Sequence, residues 1–147
     1  MKFWISFLIF FLAIQFIVVE CKSNITSNPK DEIIAPTNIK EILKRSCYDC
    51  HSNNSIIPWY GNVAPISWYV RSHINDGRKV LNFSTFNTLP KDKQQKKYEK
   101  IEESIVIRMP LSTYLWIHSD AKLSDEDKKI LKEWSKEEQK NIVLKSN

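Results

Sequence analysis

Cys47-Tyr48-Asp49-Cys50-His51 is the stretch on which the reading of this chain turns. C-x-x-C-H is the pattern at which haem is covalently attached in c-type cytochromes: two thiols add across the two vinyl groups of the porphyrin, and the histidine that follows is held where its imidazole reaches the iron. A structural zinc site would want a second pair of ligands, and the remaining histidines, His73 and His118, are far apart in the chain. A thioredoxin-like redox pair would follow a strand, whereas the lead-in Asn38 to Ser46 carries Ile39, Ile42 and Leu43 at helical spacing. With only three specified residues, the motif by itself leaves a plain disulfide or a chance match open.

Outward from the motif, the sequence predicts an all-α domain. Asn38 and Glu41 form a capping-box pattern for the helix that delivers Cys47. Residues 52–61 are rich in Asn, Ser and Pro and read as a loop. Pro65 suits the first turn of a second helix with Ile66, Tyr69, Val70, His73 and Ile74 on one face, and Gly77 is placed to end it. A third helix is predicted from about Asp92 to Arg108, stopped by Pro110, with Tyr98, Ile101 and Ile105 as its buried stripe. Ser124-Asp125-Glu126-Asp127 signals a last helix carrying Ile130, Leu131 and Trp134. No period-two alternation or repeat is present, and with two glycines in the chain a phosphate-cradling loop is excluded.

The 147 residues allow one domain of modest core, and 42% hydrophobic content with five tryptophans fits a folded chain. From Phe3 to Val19 the sequence has no charge and one polar amide, Gln15, which reads as a membrane anchor or an export signal. As a helix it would cover about 25 Å, near the lower limit for crossing a bilayer. No small-x-small cleavage site follows, so an uncleaved anchor is favoured, with Lys2 leaving the domain on the periplasmic side of the cytoplasmic membrane. Cys21 directly follows the run, and Glu20 before it argues against lipidation. The expected organisation is an anchor or signal over 1–21, a linker over 22–36, a haem-binding cytochrome c-like domain over 37–137 and a polar tail over 138–147.

A thioether commonly closes the second axial position of electron-transfer cytochromes c. Of the two methionines one is Met1, so Met109 is the thioether candidate, on the sharp exit before Pro110. Its competing readings are a gap-filling core residue, ligation by His73 or His118 instead, or an open sixth site. Trp59, Tyr60, Trp68 and Tyr69 are candidates to line the porphyrin or hydrogen-bond its propionates, and Arg71 and Arg78 to pair with propionate charge, with an ordinary core or surface role equally open for each.

The chain resembles the bacterial haem-binding domain family, small membrane-anchored proteins with a single C-x-x-C-H. The residues that carry the likeness are Ser46 to Asn53, Pro58-Trp59-Tyr60, Ala64-Pro65, His73 to Arg78, Leu81-Asn82-Phe83-Ser84, Met109-Pro110, Tyr114, His118, Ala121 and Leu123-Ser124. The resemblance implies one covalent haem c on Cys47 and Cys50, His51 as proximal ligand and, by similarity to cytochromes c, Met109 as distal ligand. The expected function is a membrane-tethered single-haem electron carrier rather than an enzyme, serving a redox partner protein. Alternatives are a haem-based ligand sensor or a peroxidase-like enzyme. The net charge of +5, with Lys91, Lys93, Lys96, Lys97 and Lys100 clustered, has two readings, steering towards an acidic docking surface or a solvated helix face with no partner. The charge pattern lacks the interleaved basic and aromatic patch that nucleic-acid binding needs.

Overall fold

The computed structural model describes residues 2–21 and 28–146, and among them every regular element is helical. In chain order these are α1 (Lys2–Ile14), α2 (Thr37–Ser46), α3 (Tyr48–His51), α4 (Ile66–Val80), α5 (Lys91–Ile107), α6 (Ser112–Leu115) and α7 (Asp125–Ser146). Short 3-10 turns occupy Trp59–Asn62, Phe83–Thr88 and Ser119–Ala121.

The all-helical expectation holds, but the expected transmembrane helix does not. α1 has 13 residues, which is about 20 Å of helix against roughly 30 Å of bilayer hydrocarbon. No helix among the described residues is long and apolar enough to cross a membrane. The reason lies in Gln15. Its Nε2 donates to the Phe11 carbonyl at 3.0 Å and to the Ala64 carbonyl at 3.2 Å, while its Oε1 accepts from the Ala64 N–H at 2.9 Å. This single polar side chain turns the chain out of the helix and onto the domain. Trp68 Nε1 then donates to the Ile17 carbonyl at 2.6 Å and Asn75 Nδ2 to the Glu20 carbonyl at 2.7 Å, so residues 15–21 run without helix against α4. The single-pass membrane localisation expected from the apolar run is overturned with the helix.

The core is built where the helices present their apolar stripes. Ile39, Ile42 and Leu43 of α2, Tyr98, Ile101 and Ile105 of α5, and Leu131, Trp134 and Ile142 of α7 are buried in one cluster with Phe83 and Phe86. α5 and α7 form the most extensive helix pair. Across it Tyr98 and Trp134 meet edge to face at 5.3 Å, a preferred aromatic geometry. α7 starts on a reciprocal cap: Ser124 Oγ accepts from the Asp127 N–H at 3.0 Å, and Asp127 Oδ2 accepts from the Ser124 N–H at 2.9 Å. Asp127 takes the position a Glu usually holds, three residues after the cap, with a side chain one methylene shorter. α2 begins instead at Thr37 behind Pro36, with no side-chain cap from Asn38.

The segment before α2 is docked in its described part. Ile33 is buried in the core, its N–H donating to the Phe83 carbonyl at 2.8 Å. Glu32 accepts from Lys40 Nζ and from Tyr48 Oη, both at 2.8 Å. Burial acts to raise the Glu32 pKa, but these two hydrogen bonds and the Lys40 charge outweigh it and hold the carboxyl below its ordinary value. At the other end α7 continues to Ser146, with Ile142 buried in the core.

Candidate haem site

α2 delivers Cys47 at its C-terminal end, and the next residues fold at once into the single turn of α3, with the His51 N–H donating to the Cys47 carbonyl at 3.0 Å. One turn of backbone therefore sets Cys47, Cys50 and His51 on the wall of a common cavity of about 380 Å³, within the range of small-molecule and cofactor sites. Its apolar walls include Leu43, Leu81, Phe83, Ile101 and Ile105. Met109 and Leu111, from the connection between α5 and α6, line it too. Met109 is placed there by the end of α5, where the N–H groups of Arg108 and Met109 both donate to the Ser104 carbonyl, at 3.0 and 2.9 Å.

The orientation of His51 is fixed by chemistry that leaves one tautomer. Nδ1 lies 3.0 Å from the carbonyl oxygens of both Gly77 and Leu81, in the last turn and at the end of α4. A carbonyl only accepts, so Nδ1 carries the proton and donates, and Nε2 keeps its lone pair. No hydrogen-bond partner holds Nε2 among the described residues. Burial depresses the His51 pKa against the two carbonyls, which favours the neutral ring. A neutral imidazole whose second nitrogen is tied to backbone carbonyls is the usual state of a metal-ligating histidine. The ring also meets Phe83 edge to face at 6.2 Å.

The thiols have the opposite character to those of a redox pair. Burial, and for Cys47 the neighbouring Cys50, push Cys47 up to about 12; burial and the Asp49 carboxylate push Cys50 up to about 11. Disulfide oxidoreductases lower such values to hold a reactive thiolate. The third cysteine, Cys21, is a buried free thiol.

A hydrogen-bonded frame braces this turn from behind. Ser52 Oγ donates to the Tyr48 carbonyl at 2.8 Å, Arg78 Nε to the Ser52 carbonyl at 2.7 Å and Arg78 Nη2 to Ser55 Oγ at 2.8 Å. Asn82 Nδ2 donates to Asn53 Oδ1 at 2.8 Å, and the Asn53 N–H donates to Ser84 Oγ at 3.0 Å. From the α6 side, Tyr114 Oη donates to Asp49 Oδ2 at 2.7 Å. Arg78 thus holds the loop after His51 and does not line the cavity; Arg71 is likewise engaged, with the Gly61 carbonyl and Asn62 Oδ1. Trp59, Tyr60, Trp68 and Tyr69 also lie off the cavity wall. Of the competing histidines, His73 lines the cavity, with Nδ1 on the Tyr69 carbonyl at 2.9 Å. His118 does not: its Nε2 pairs with Tyr60 Oη at 2.6 Å and its ring stacks on Tyr114 at 4.3 Å.

Gly77 has a role that periodicity alone mistakes for a helix stop. α4 continues one turn past it, to Val80. A Cβ at Gly77 would stand 2.6 Å from the Cys50 carbonyl oxygen, so only a glycine lets α4 come close enough for both carbonyls to reach His51. Gly77→Ala is expected to push α4 off α3, costing about 2 kcal/mol or more as overpacking against immovable backbone. Urea unfolding with haem content per chain checks this; wild-type values in both would show that the approach tolerates a methyl.

Two thiols and a lone-pair imidazole on an apolar cavity of an all-helical domain fit the donor set of a covalently bound haem. The chemical class is that of a haem-binding protein. The chain belongs to the haem-binding domain family, whose profile matches residues 9–137. No curated protein and no solved structure matches the chain significantly.

Proposed function

We propose that this protein is a single-haem c-type electron carrier. Cys47 and Cys50 would each form one Sγ–C bond to a vinyl carbon, the thiol hydrogen passing to the neighbouring vinyl carbon. His51 Nε2 would be the proximal ligand and Met109 Sδ the distal one. The bound haem supplies a ferric/ferrous couple that moves one electron. The chain's own contribution is to hold both ligands, surround the haem with apolar side chains and tune the couple. A thioether ligand favours the ferrous state and raises the potential relative to two histidines.

The observation that carries the reading is the fixed tautomer of His51, with Nδ1–H spent on two carbonyls and the Nε2 lone pair free. No base or nucleophile is required for outer-sphere transfer, in keeping with a carrier rather than a catalyst. Its partner would be a redox protein with an acidic docking surface, met by the exposed Lys93 and Lys96 of α5.

The optical spectrum of protein matured with the c-type haem machinery tests this. Covalent, low-spin haem that resists carbon monoxide when reduced is the expected result. A high-spin spectrum with rapid carbon monoxide binding would replace the carrier by a ligand-binding module.

A further inference from the structure

α5 faces the cavity with Lys97, Lys100, Ile101, Ser104 and Ile105, the stripe that a helix of this period presents to one side, and Arg108 at its C-cap also lines the wall. Two cations thus stand at one end of a wall whose middle is apolar. Lys97 is half-buried and its Nζ donates to the Val80 carbonyl at the end of α4. An ammonium has three donors, and no carboxylate pairs with Lys97 among the described residues, so its charge is unneutralised at the cavity wall. Lys100 Nζ lies 2.8 Å from Glu103 Oε2, but those side chains are 67% and 59% exposed, and an ion pair so solvated is readily exchanged for another carboxylate.

The anions of the wall are otherwise engaged. Asp76 pairs with Lys79 at 2.9 Å, and Asp49 accepts from Tyr114. Arg108, the residue that caps the far end of α5, stands about 16 Å from Lys97 along the axis and next to Met109. It is therefore too distant to share one edge of a ligand with Lys97. Residues three apart on a helix hold their Cβ atoms about 5–6 Å apart. That spacing serves two carboxylates carried side by side on one edge of a ring system.

We propose that Lys97 and Lys100 form the subsite for the two propionate carboxylates of the haem, with Lys97 Nζ the principal donor. The assignment rests on the reading of the cavity as a haem site. It moves the propionate contact from Arg71 and Arg78, both committed to the frame of the fold, to the wall of α5. It also divides the lysine cluster: Lys93 and Lys96 face solvent, whereas Lys97 and Lys100 face the cofactor.

The test compares matured holoprotein of the wild type with Lys97→Gln, Lys100→Gln, Lys97→Arg and the off-cavity control Lys93→Gln. Two quantities are read: the propionate carboxylate bands in redox difference infrared spectra, with the haem carboxylates isotope-labelled to separate them from Asp and Glu, and the reduction potential. The bands are expected to move in Lys97→Gln and Lys100→Gln, to return towards wild type in Lys97→Arg and to stay in place in Lys93→Gln. The potential is expected to fall further in Lys97→Gln than in Lys93→Gln, because a positive charge near the iron opposes the ferric state. Attached haem with bands and potential in Lys97→Gln and Lys100→Gln equal to those of Lys93→Gln would overturn the subsite and leave the haem reading intact. Wild-type protein carrying no haem would overturn both. Should Lys97→Gln fail to fold, Lys100→Gln against Lys93→Gln carries the same comparison.

Discussion

A chain with Cys47→Ala and Cys50→Ala is expected to yield polypeptide of unmodified mass, with any pigment removable by acidified organic solvent. The wild type matured in parallel should carry the haem mass through the same extraction. Each single alanine variant should keep one thioether and so a covalent, weaker attachment. The loss extends to folding. If a void of about 380 Å³ were enclosed and left empty, scaling at ~24 cal/mol per Å³ would give about 9 kcal/mol, comparable with the whole stability of a small domain. The mouth of this cavity admits water, so the true cost lies below that figure. Its sign is fixed by the apolar walls of Leu43, Phe83 and Ile101. Circular dichroism against urea should place the unfolding midpoint of the double variant below that of the holoprotein. Equal, unmodified masses for variant and wild type matured together would remove the thioether assignment and return the two cysteines to a structural role.

The local parts of this arrangement were legible in the sequence because they depend on neighbours in the chain. The helix reading of residues 92–108 and the cap at Ser124 follow from periodicity and side-chain chemistry within a few residues, and the fold repeats them closely. The C-x-x-C-H turn is of the same kind, since one turn of backbone holds all three side chains. What was not legible depends on contacts across the chain. Gly77 reads locally as a stop, and only the approach of the Cys50 carbonyl reveals why a side chain is forbidden there. The apolar run from Phe3 reads as a span because hydropathy counts residues; the pairing of Gln15 with Ala64, which ends α1, is invisible to it. Proximity in sequence makes the aromatic pairs near the motif candidates for either the porphyrin or an ordinary packing role, and it is the latter that they take: α4 turns Trp68 towards the Ile17 carbonyl and Tyr69 towards Thr113 Oγ1. One wall of the cavity comes instead from α5, whose stripe serves two neighbours at once: Ile101 and Ile105 belong both to the core and to the cavity.

Met109→Ala is expected to open the sixth position. The ferric protein should turn high-spin, the ferrous form should bind carbon monoxide, and the potential should drop on the order of 0.1 V, well inside the roughly 0.8 V over which axial ligands set haem potentials. The fold should survive the change, because Met109 is only half-buried and its backbone is held independently of its side chain, by the N–H bond to the Ser104 carbonyl. A spectral change at near-wild-type unfolding midpoint therefore reports on ligation and not on collapse of the site. His73 lines the same cavity and carries an imidazole able to occupy a vacated position. If it does so, Met109→Ala will stay low-spin while its potential falls, and adding His73→Ala will then restore the high-spin, carbon monoxide-binding form. The double variant thus separates substitution of one ligand by another from the absence of any role for Met109. A spectrum and potential unchanged in Met109→Ala would make the methionine a wall residue, and the search for the distal ligand would pass to His73.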